Sequence, residues 1–433
     1  MSRKASTPTG VDEPWPTSPA ARLDEVVLEA LSGLTEAGVT FALLRGGDGP
    51  ASGGDIDVLV LEADLPATER HLRAAGWLQT HPAGHGSHRF HIRYDADSGT
   101  WHKLDLVTRL DFGPLQAYRT GLAEACLARR VWADGVPVLR PDDAFWLLFI
   151  HQAWKRPALE RHSRLTDAAQ RAAAHGPVAD LVAGRLPGGV GALDTALAAA
   201  RSGDTSTVAA LQRQLRTRWR RAEGARGVLR QATGWVQQRV AVAEDRGFSL
   251  ALLGLDGAGK TTVAARLQQE VPWPTASLYM GVWRESALDR LVRPIQGAQL
   301  LLRMGRLRRT ALVTRYHCAL GRVVLLDRSI VDATLPSGEV GWKWRLHAAL
   351  VLRTAPDPDR MVFLDAPPEV VFARKGELGI EELQQRRAHY YELQGRFPQW
   401  VTIDADRPLE DVLADVNGVL WDELVRTRPG SPS

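Results

Sequence analysis

Residues 254–261 read GLDGAGKT and fit the spacing G-x-x-x-x-G-K-[ST] in full. Glycines at 254, 257 and 259 free the backbone to turn successive N–H groups toward phosphate oxygens. A helix starting at this point adds the favourable field of its N-terminus. Lys260 is placed to reach the β- and γ-phosphates of a nucleoside triphosphate, and the Thr261 hydroxyl to meet its Mg²⁺. Gly254, Asp256, Gly257, Gly259, Lys260, Thr261 and Thr262 are therefore the expected nucleotide-binding set. The chain holds only six lysines, at 4, 103, 155, 260, 343 and 375, so one falling by accident at this position is a poor explanation.

A second set of chemically capable residues lies near the N-terminus. Asp55 and Asp57, in LLRGGDGPASGGDIDVLV (43–60), stand two apart, a spacing that puts both carboxylates on one face of a strand. Asp105, in KLDLV, falls on a later strand. Carboxylates so arranged hold Mg²⁺ against a triphosphate and favour in-line displacement at phosphorus. His85, His88, His91 and His102 cluster around Asp105 in sequence and read as a metal site, as a solvent-facing alternation, or as an edge that contacts substrate. Lys103 shares a face with Asp105, either to touch a triphosphate or to balance the aspartates.

These residues need elements to position them. FSLALLG (248–254) is a continuous apolar run, as expected for a strand buried on both faces of a parallel sheet, and VVLLD (323–327) and MVFLD (361–365) look the same. Helical stretches between them indicate an α/β layer fold. Upstream, apolar spacing predicts a helix over 23–37 with Gly38 past its end, strands over 40–44 and 55–61, a helix over 66–75, and strands over 87–94 and 100–110. From about 112 to 246 the chain turns to Ala, Leu and Arg with helical periodicity, and Pro141-Asp142-Asp143 is a helix start.

The phosphate loop alone is similar to those of Arf-type small GTPases and of thymidylate kinases; no NKxD-like guanine-reading motif is present. The rest of the segment, about 248–426, resembles the thymidylate kinase family: LLDRS (325–329), PDRMVFLDAPPEVVFARK (358–375), RRAHYYEL (386–393) and VTIDADRPLEDV (401–412). The resemblance implies ATP as phosphoryl donor and Mg²⁺ as cofactor. It gives Asp327 a place near the metal and acceptor phosphate, Arg328 the acceptor's phosphate, and Arg374, with Lys375, a lid charge over the transferring group. Lys260, Asp327, Arg328 and Arg374 would be the catalytic set. SIVDATLPSG follows Asp327-Arg328 where that family carries an aromatic or His and a Tyr-Gln pair, so the acceptor half departs from the pattern. The arginines between Tyr279 and His317 read as a basic acceptor site or as solvated helix faces. The N-terminal stretch resembles the polymerase-β-type nucleotidyltransferase superfamily, with Gly46-Gly47 as the turn, Asp55 and Asp57 as the pair and Asp105 as the third metal ligand.

The expected organisation is a tail over 1–18, an α+β nucleotidyltransferase-like domain over 19–112, a helical middle segment over 113–245, a P-loop parallel-sheet kinase domain over 246–426 and a tail over 427–433. The function expected is an ATP- and Mg²⁺-dependent phosphotransferase acting on a nucleoside monophosphate or other small phosphorylated metabolite, fused to a nucleotidyltransferase. The alternative is an ATP-binding regulatory protein with a catalytically silent N-terminal module. With 45% hydrophobic and 24% charged residues in 433, the chain is neither disordered nor fibrous. A net charge of +4, from 54 basic and 50 acidic residues, gives no ground for a nucleic-acid partner. Two cysteines make no disulfide framework, which points to a reducing cytoplasm. No apolar run long enough to span a membrane occurs, and a homo-oligomer is compatible with the sequence.

Overall fold

The computed structural model describes residues 23–44, 56–80, 87–155, 159–241, 246–279, 298–328, 330–335, 341–354 and 356–428. Gly46, Gly47, Asp55 and His85, and the arginine-bearing stretch 280–297, lie outside the described residues. The chain divides into two compact units. The first comprises Met1–Gln79, Gly84–His91 and His102–Val236; the second comprises Thr80–Ala83, Ile92–Trp101 and Gln237–Ser433.

The first unit opens with helix α1 (Glu25–Glu36), which buries Val27, Ala30, Leu31 and Leu34, the i, i+3, i+4, i+7 stripe of an amphipathic helix. Gly38 follows at φ 71°, the left-handed conformation that ends a helix, and turns the chain into β1 (Phe41–Leu43). Then come β2 (Ile56–Val60), α2 (Leu65–Ala74), β3 (Leu78–Thr80), β4 (His88–Asp95), β5 (Thr100–Val107), α3 (Ala123–Ala128), β6 (Val131–Ala133) and β7 (Val136–Val138). They form one mixed sheet in the order β3-β4-β5-β2-β1-β7-β6. β1 runs antiparallel to β2 and parallel to β7, and β2 runs parallel to β5.

The helical reading of 113–245 is corrected at β6 and β7. Their connection is Asp134-Gly135 alone, at φ 49° and 81°, with Ala133 facing Val136 across the hairpin. Two left-handed residues in a two-residue loop match the twist of paired strands, and Asp-Gly is among the pairs that tolerate them best. Pairing with β1 then draws the segment into the sheet, against the helical composition around it.

Beyond the hairpin the segment is helical: α4 (Pro141–Ala153), α5 (Leu159–Ala169), α6 (Pro177–Ala183), α7 (Val190–Ser202) and α8 (Thr205–Ala241), the last kinked at Gly224. α4 buries Phe145, Trp146, Phe149 and Ile150 at the centre of an apolar cluster that also holds Trp219. Its first-turn carboxylates do more than complement a helix dipole. Asp142 accepts from the Ala173 backbone N–H at 2.8 Å and Asp143 from Arg129 Nε at 3.1 Å, so both are buried with a partner.

The second unit is a layered α/β structure. β8 (Ser249–Leu253), α9 (Lys260–Glu270), β9 (Thr275–Tyr279), α10 (Ala298–Ala319), β10 (Val323–Asp327), α11 (Trp342–Leu352), β11 (Arg360–Asp365), α12 (Pro368–Lys375), α13 (Ile380–Gln394), β12 (Trp400–Asp404) and α14 (Leu409–Arg426) follow in order. The five strands form an all-parallel sheet, β12-β11-β8-β10-β9. Every residue of β8 is buried, as its unbroken apolar run requires. Since β8 lies between β10 and β11, the chain leaves it at the point where the strand order reverses. Ligands of open parallel sheets bind at the carboxyl ends of the strands at such a point.

Candidate functional site

The phosphate loop leaves β8 at that switch point. Gly254 sits at φ 141°, and a Cβ there would stand 2.6 Å from the Leu364 carbonyl of β11. Gly257, at φ 113°, packs against Val371 of α12, where a Cβ would stand 3.2 Å from Cγ1. Only glycine allows both the backbone conformation and the approach. α9 begins at Lys260, directly after Gly259.

Lys260 is buried, and its Nζ donates to the carbonyls of Gly254 (2.7 Å) and Leu255 (2.9 Å). Asp256 Oδ1 lies 3.5 Å from the same nitrogen and also accepts from Arg328 Nη2 at 2.6 Å. Burial pushes the Asp256 carboxyl up, but Lys260 and Arg328 outweigh it and hold the group below the usual carboxylate range. Burial lowers the Lys260 ammonium, against the charges of Asp332 and Asp256. Thr261 Oγ1 donates to Asp327 Oδ2 at 3.0 Å, so the expected metal-side hydroxyl and the β10 carboxylate converge. A hydroxyl and a carboxylate in that relation fit the oxygen preference of Mg²⁺.

Arg328 follows β10 at φ 74°, an uncommon backbone for a non-glycine residue. That turn brings its guanidinium over the phosphate loop and within 5.9 Å of the Tyr279 ring centroid. The structure thus gathers Gly254, Asp256, Gly257, Gly259, Lys260, Thr261, Asp327 and Arg328 at one end of one sheet. Thr262 is exposed on the first turn of α9. Arg374 stands apart from this cluster's ion pairs. It is well exposed, 3.9 Å from Asp406, while Lys375 pairs with Glu377 at 3.2 Å.

Sequence reasoning named the helix 386–393 but none of its working side chains. Arg387 meets Asp365, at the end of β11, through two bonds of 2.7 Å, and the Tyr391 hydroxyl donates to the same carboxylate at 2.6 Å. Burial raises Asp365, and these donors overcome it to leave the carboxyl below its ordinary range. Tyr390, fully buried, places its hydroxyl 2.5 Å from Asp332 Oδ1 and 3.1 Å from the Gly254 carbonyl. Asp365 was findable as a charge at the end of β11, whereas Arg387 lies in the middle of α13. The Asp332–Tyr390 contact spans 58 residues and has no sequence signature.

In the first unit, Asp57 and Asp105 are register partners on the parallel strands β2 and β5, so their side chains leave the sheet on the same face. Asp105 is buried. Its Oδ2 is 2.6 Å from His88 Nδ1, and its Oδ1 has no hydrogen-bond partner among the described residues. A buried, unpartnered carboxylate oxygen is costly without a cation or donor. Among the described residues alone, no group of three or more His, Cys, Asp or Glu side chains could hold a metal ion. The histidines are not a solvent-facing row: His91 and His102 are buried, and His102 Nδ1 lies 3.3 Å from Asp24 Oδ2. Lys103 Nζ stands 4.3 Å from the Phe90 ring centroid.

No protein-family model matches the chain. Over 199 residues it is 31% identical to a thymidylate kinase of Xanthomonas campestris pv. campestris, an alignment covering 41% of this chain and 86% of that enzyme. A thymidylate kinase of Xylella fastidiosa is 29% identical over 204 residues, covering 43% and 91%. A solved structure of the thymidylate kinase of Candida albicans aligns with 41% of this chain and 93% of its own, at 17% identity and a TM-score of 0.36, a likeness that carries no argument. Among the described residues no helix is long and apolar enough to cross a membrane. The identity to the Xanthomonas enzyme, over nearly all of that enzyme's length, decides the matter: the chain belongs to the thymidylate kinase family and carries a nucleotide kinase-like phosphotransferase.

Proposed function

We propose that residues 248–426 form an ATP- and Mg²⁺-dependent phosphotransferase whose acceptor is a nucleoside monophosphate or another small phosphorylated metabolite. One observation carries the reading: Lys260, Thr261, Asp327 and Arg328 converge on a glycine-built loop at the sheet's switch point. The loop's N–H groups and Lys260 bind the donor's phosphates, and Thr261 with Asp327 would hold Mg²⁺. The metal, when bound, neutralises charge on the phosphate oxygens. Arg328 is held by Asp256 and is exchanged onto the acceptor's phosphate. Arg374, exposed at the end of α12 and 3.9 Å from Asp406, closes over the transferring group. Such chemistry needs position and positive charge more than covalent participation. Lys260→Ala in the full chain removes one charge from the phosphates. Phosphoryl transfer falls about a hundredfold or more with the fold retained by circular dichroism. Unchanged ATP affinity and turnover would overturn the assignment.

A second activity is proposed for the first unit, favoured by the Asp57–Asp105 pairing and the unpartnered Asp105 oxygen. Asp57 and Asp105, with Asp55 next to the same strand in sequence, would hold Mg²⁺ on a nucleoside triphosphate for nucleotidyl transfer. His88 orients Asp105 through its Nδ1.

A further inference from the structure

Tyr390 and Asp332 lie outside every residue set to which a function has been given, yet they meet at the centre of the kinase site. Tyr390 is fully buried on α13 and stacks on Phe363 of β11, ring centroids 4.8 Å apart. Its hydroxyl touches Asp332 Oδ1 at 2.5 Å and the Gly254 carbonyl at 3.1 Å. Burial first, then the charge of Asp332, keeps that phenol protonated, well above its ordinary range. The same Gly254 carbonyl accepts from Lys260 Nζ at 2.7 Å. A continuous chain of contacts thus runs from Asp332 through Tyr390 and the first glycine of the phosphate loop to the lysine. We propose that Asp332 and Tyr390 are positioning residues for Lys260, fixing the Gly254 carbonyl against which the ammonium is held and supplying a buried counter-charge to it.

Two further facts support this assignment. Asp256, 3.5 Å from Lys260 Nζ, is already engaged by Arg328. Asp332 is itself 4% exposed, so its charge acts through little water. A buried carboxylate and a buried phenol on separate elements form a network whose cost is met only when every member is in place.

The proposal rests on the phosphate loop binding ATP, and its test separates the two. Mg·ATP binding is measured by calorimetry on the full chain carrying Asp105→Asn, so that only the phosphate-loop site is read. No binding before any further change would mean that the ATP reading itself fails. Added Asp332→Asn, which keeps the shape and an acceptor for Tyr390, is expected to weaken binding about tenfold with unfolding temperature nearly unchanged. Tyr390→Phe, which keeps the stacking on Phe363, is expected to weaken it severalfold. Asp332→Glu, which restores the charge, should recover most of the loss. With Lys260→Met in place, a fluorescent ATP analogue titrated to millimolar concentration should show no further loss from Asp332→Asn. Wild-type affinity in both Asp332→Asn and Tyr390→Phe, a Glu variant as weak as the Asn variant, or an equal loss with and without Lys260 overturns the proposal. The last two results would leave Asp332 a merely structural residue.

Discussion

Arg387 and Asp365 show how much a single side chain carries in the second unit. The two bonds of 2.7 Å are parallel and charge-assisted, the strongest arrangement open to a neutral-pH protein. The Asp365 side chain is mostly buried, whereas that of Arg387 is one-third exposed, so water screens part of the gain. Among the described residues, Arg387→Ala leaves Asp365 with Tyr391 as its side-chain donor. Unfolding in urea should show a loss of about 1–2 kcal/mol with an unchanged slope. His91 supplies a pH dependence. Burial pushes its imidazole from 6.5 down to about 4, so the unfolded chain binds a proton there that the folded chain refuses. The contribution is present in full above pH 6.5 and is lost as pH falls toward 4, on the order of 3 kcal/mol in all. Between pH 7.5 and 5, His91→Gln should lose less stability than the wild-type chain; equal losses would clear His91 of the effect. Sequence reading placed His91 in a cluster with His85, His88 and His102, read as a metal site, a solvent-facing alternation or a substrate-contacting edge. Alternation tells which residues share a face, but not that β4 turns this one inward.

At the scale of elements, what the sequence shows depends on whether the signal is local. The phosphate loop is local: its glycines, lysine and helix start occur within eight residues, and the structure builds it in one turn. Strands β8, β10 and β11 were legible because burial on both faces leaves an unbroken apolar run. The hairpin of β6 and β7 was missed, although Asp134-Gly135 was a fair signal, because three-residue strands are too short to show a period. The register that sets Asp57 beside Asp105 joins strands nearly fifty residues apart, and no composition encodes it. The loop itself can be tested as an element. Gly254→Ala forces a Cβ to within 2.6 Å of the Leu364 carbonyl at a φ that L-residues rarely adopt. β8 and β11 would have to separate, or the loop would have to shift. A stability loss of about 1–3 kcal/mol, seen as a lower unfolding temperature, should accompany a loss of ATP binding. Gly259→Ala, where a Cβ meets nothing within 4 Å, should strain the backbone alone and cost less.

At the scale of the whole chain, the residues proposed to bind triphosphates divide between the two compact units. Lys260, Thr261, Asp327 and Arg328 all belong to the second unit, and Asp57, His88 and Asp105 to the first. The family relationship covers 41% of the chain. Two carboxylates at register positions on neighbouring strands repel one another unless a cation or proton intervenes. Asp105 has spent one oxygen on His88 and keeps the other buried without a partner, which is the state a metal would relieve. The chain should therefore bind two equivalents of a non-hydrolysable Mg²⁺-triphosphate. Calorimetric titration of the full chain gives the count directly. Lys260→Ala should remove or weaken one equivalent and leave the other; Asp105→Asn should do the converse, and phosphoryl transfer at the P-loop should change little in that variant. One equivalent in the wild-type chain, lost with Lys260→Ala and untouched by Asp105→Asn, would leave the first unit a silent module. A collapse of P-loop turnover in a folded Asp105→Asn chain would mean instead that the two sets do not act as separate sites.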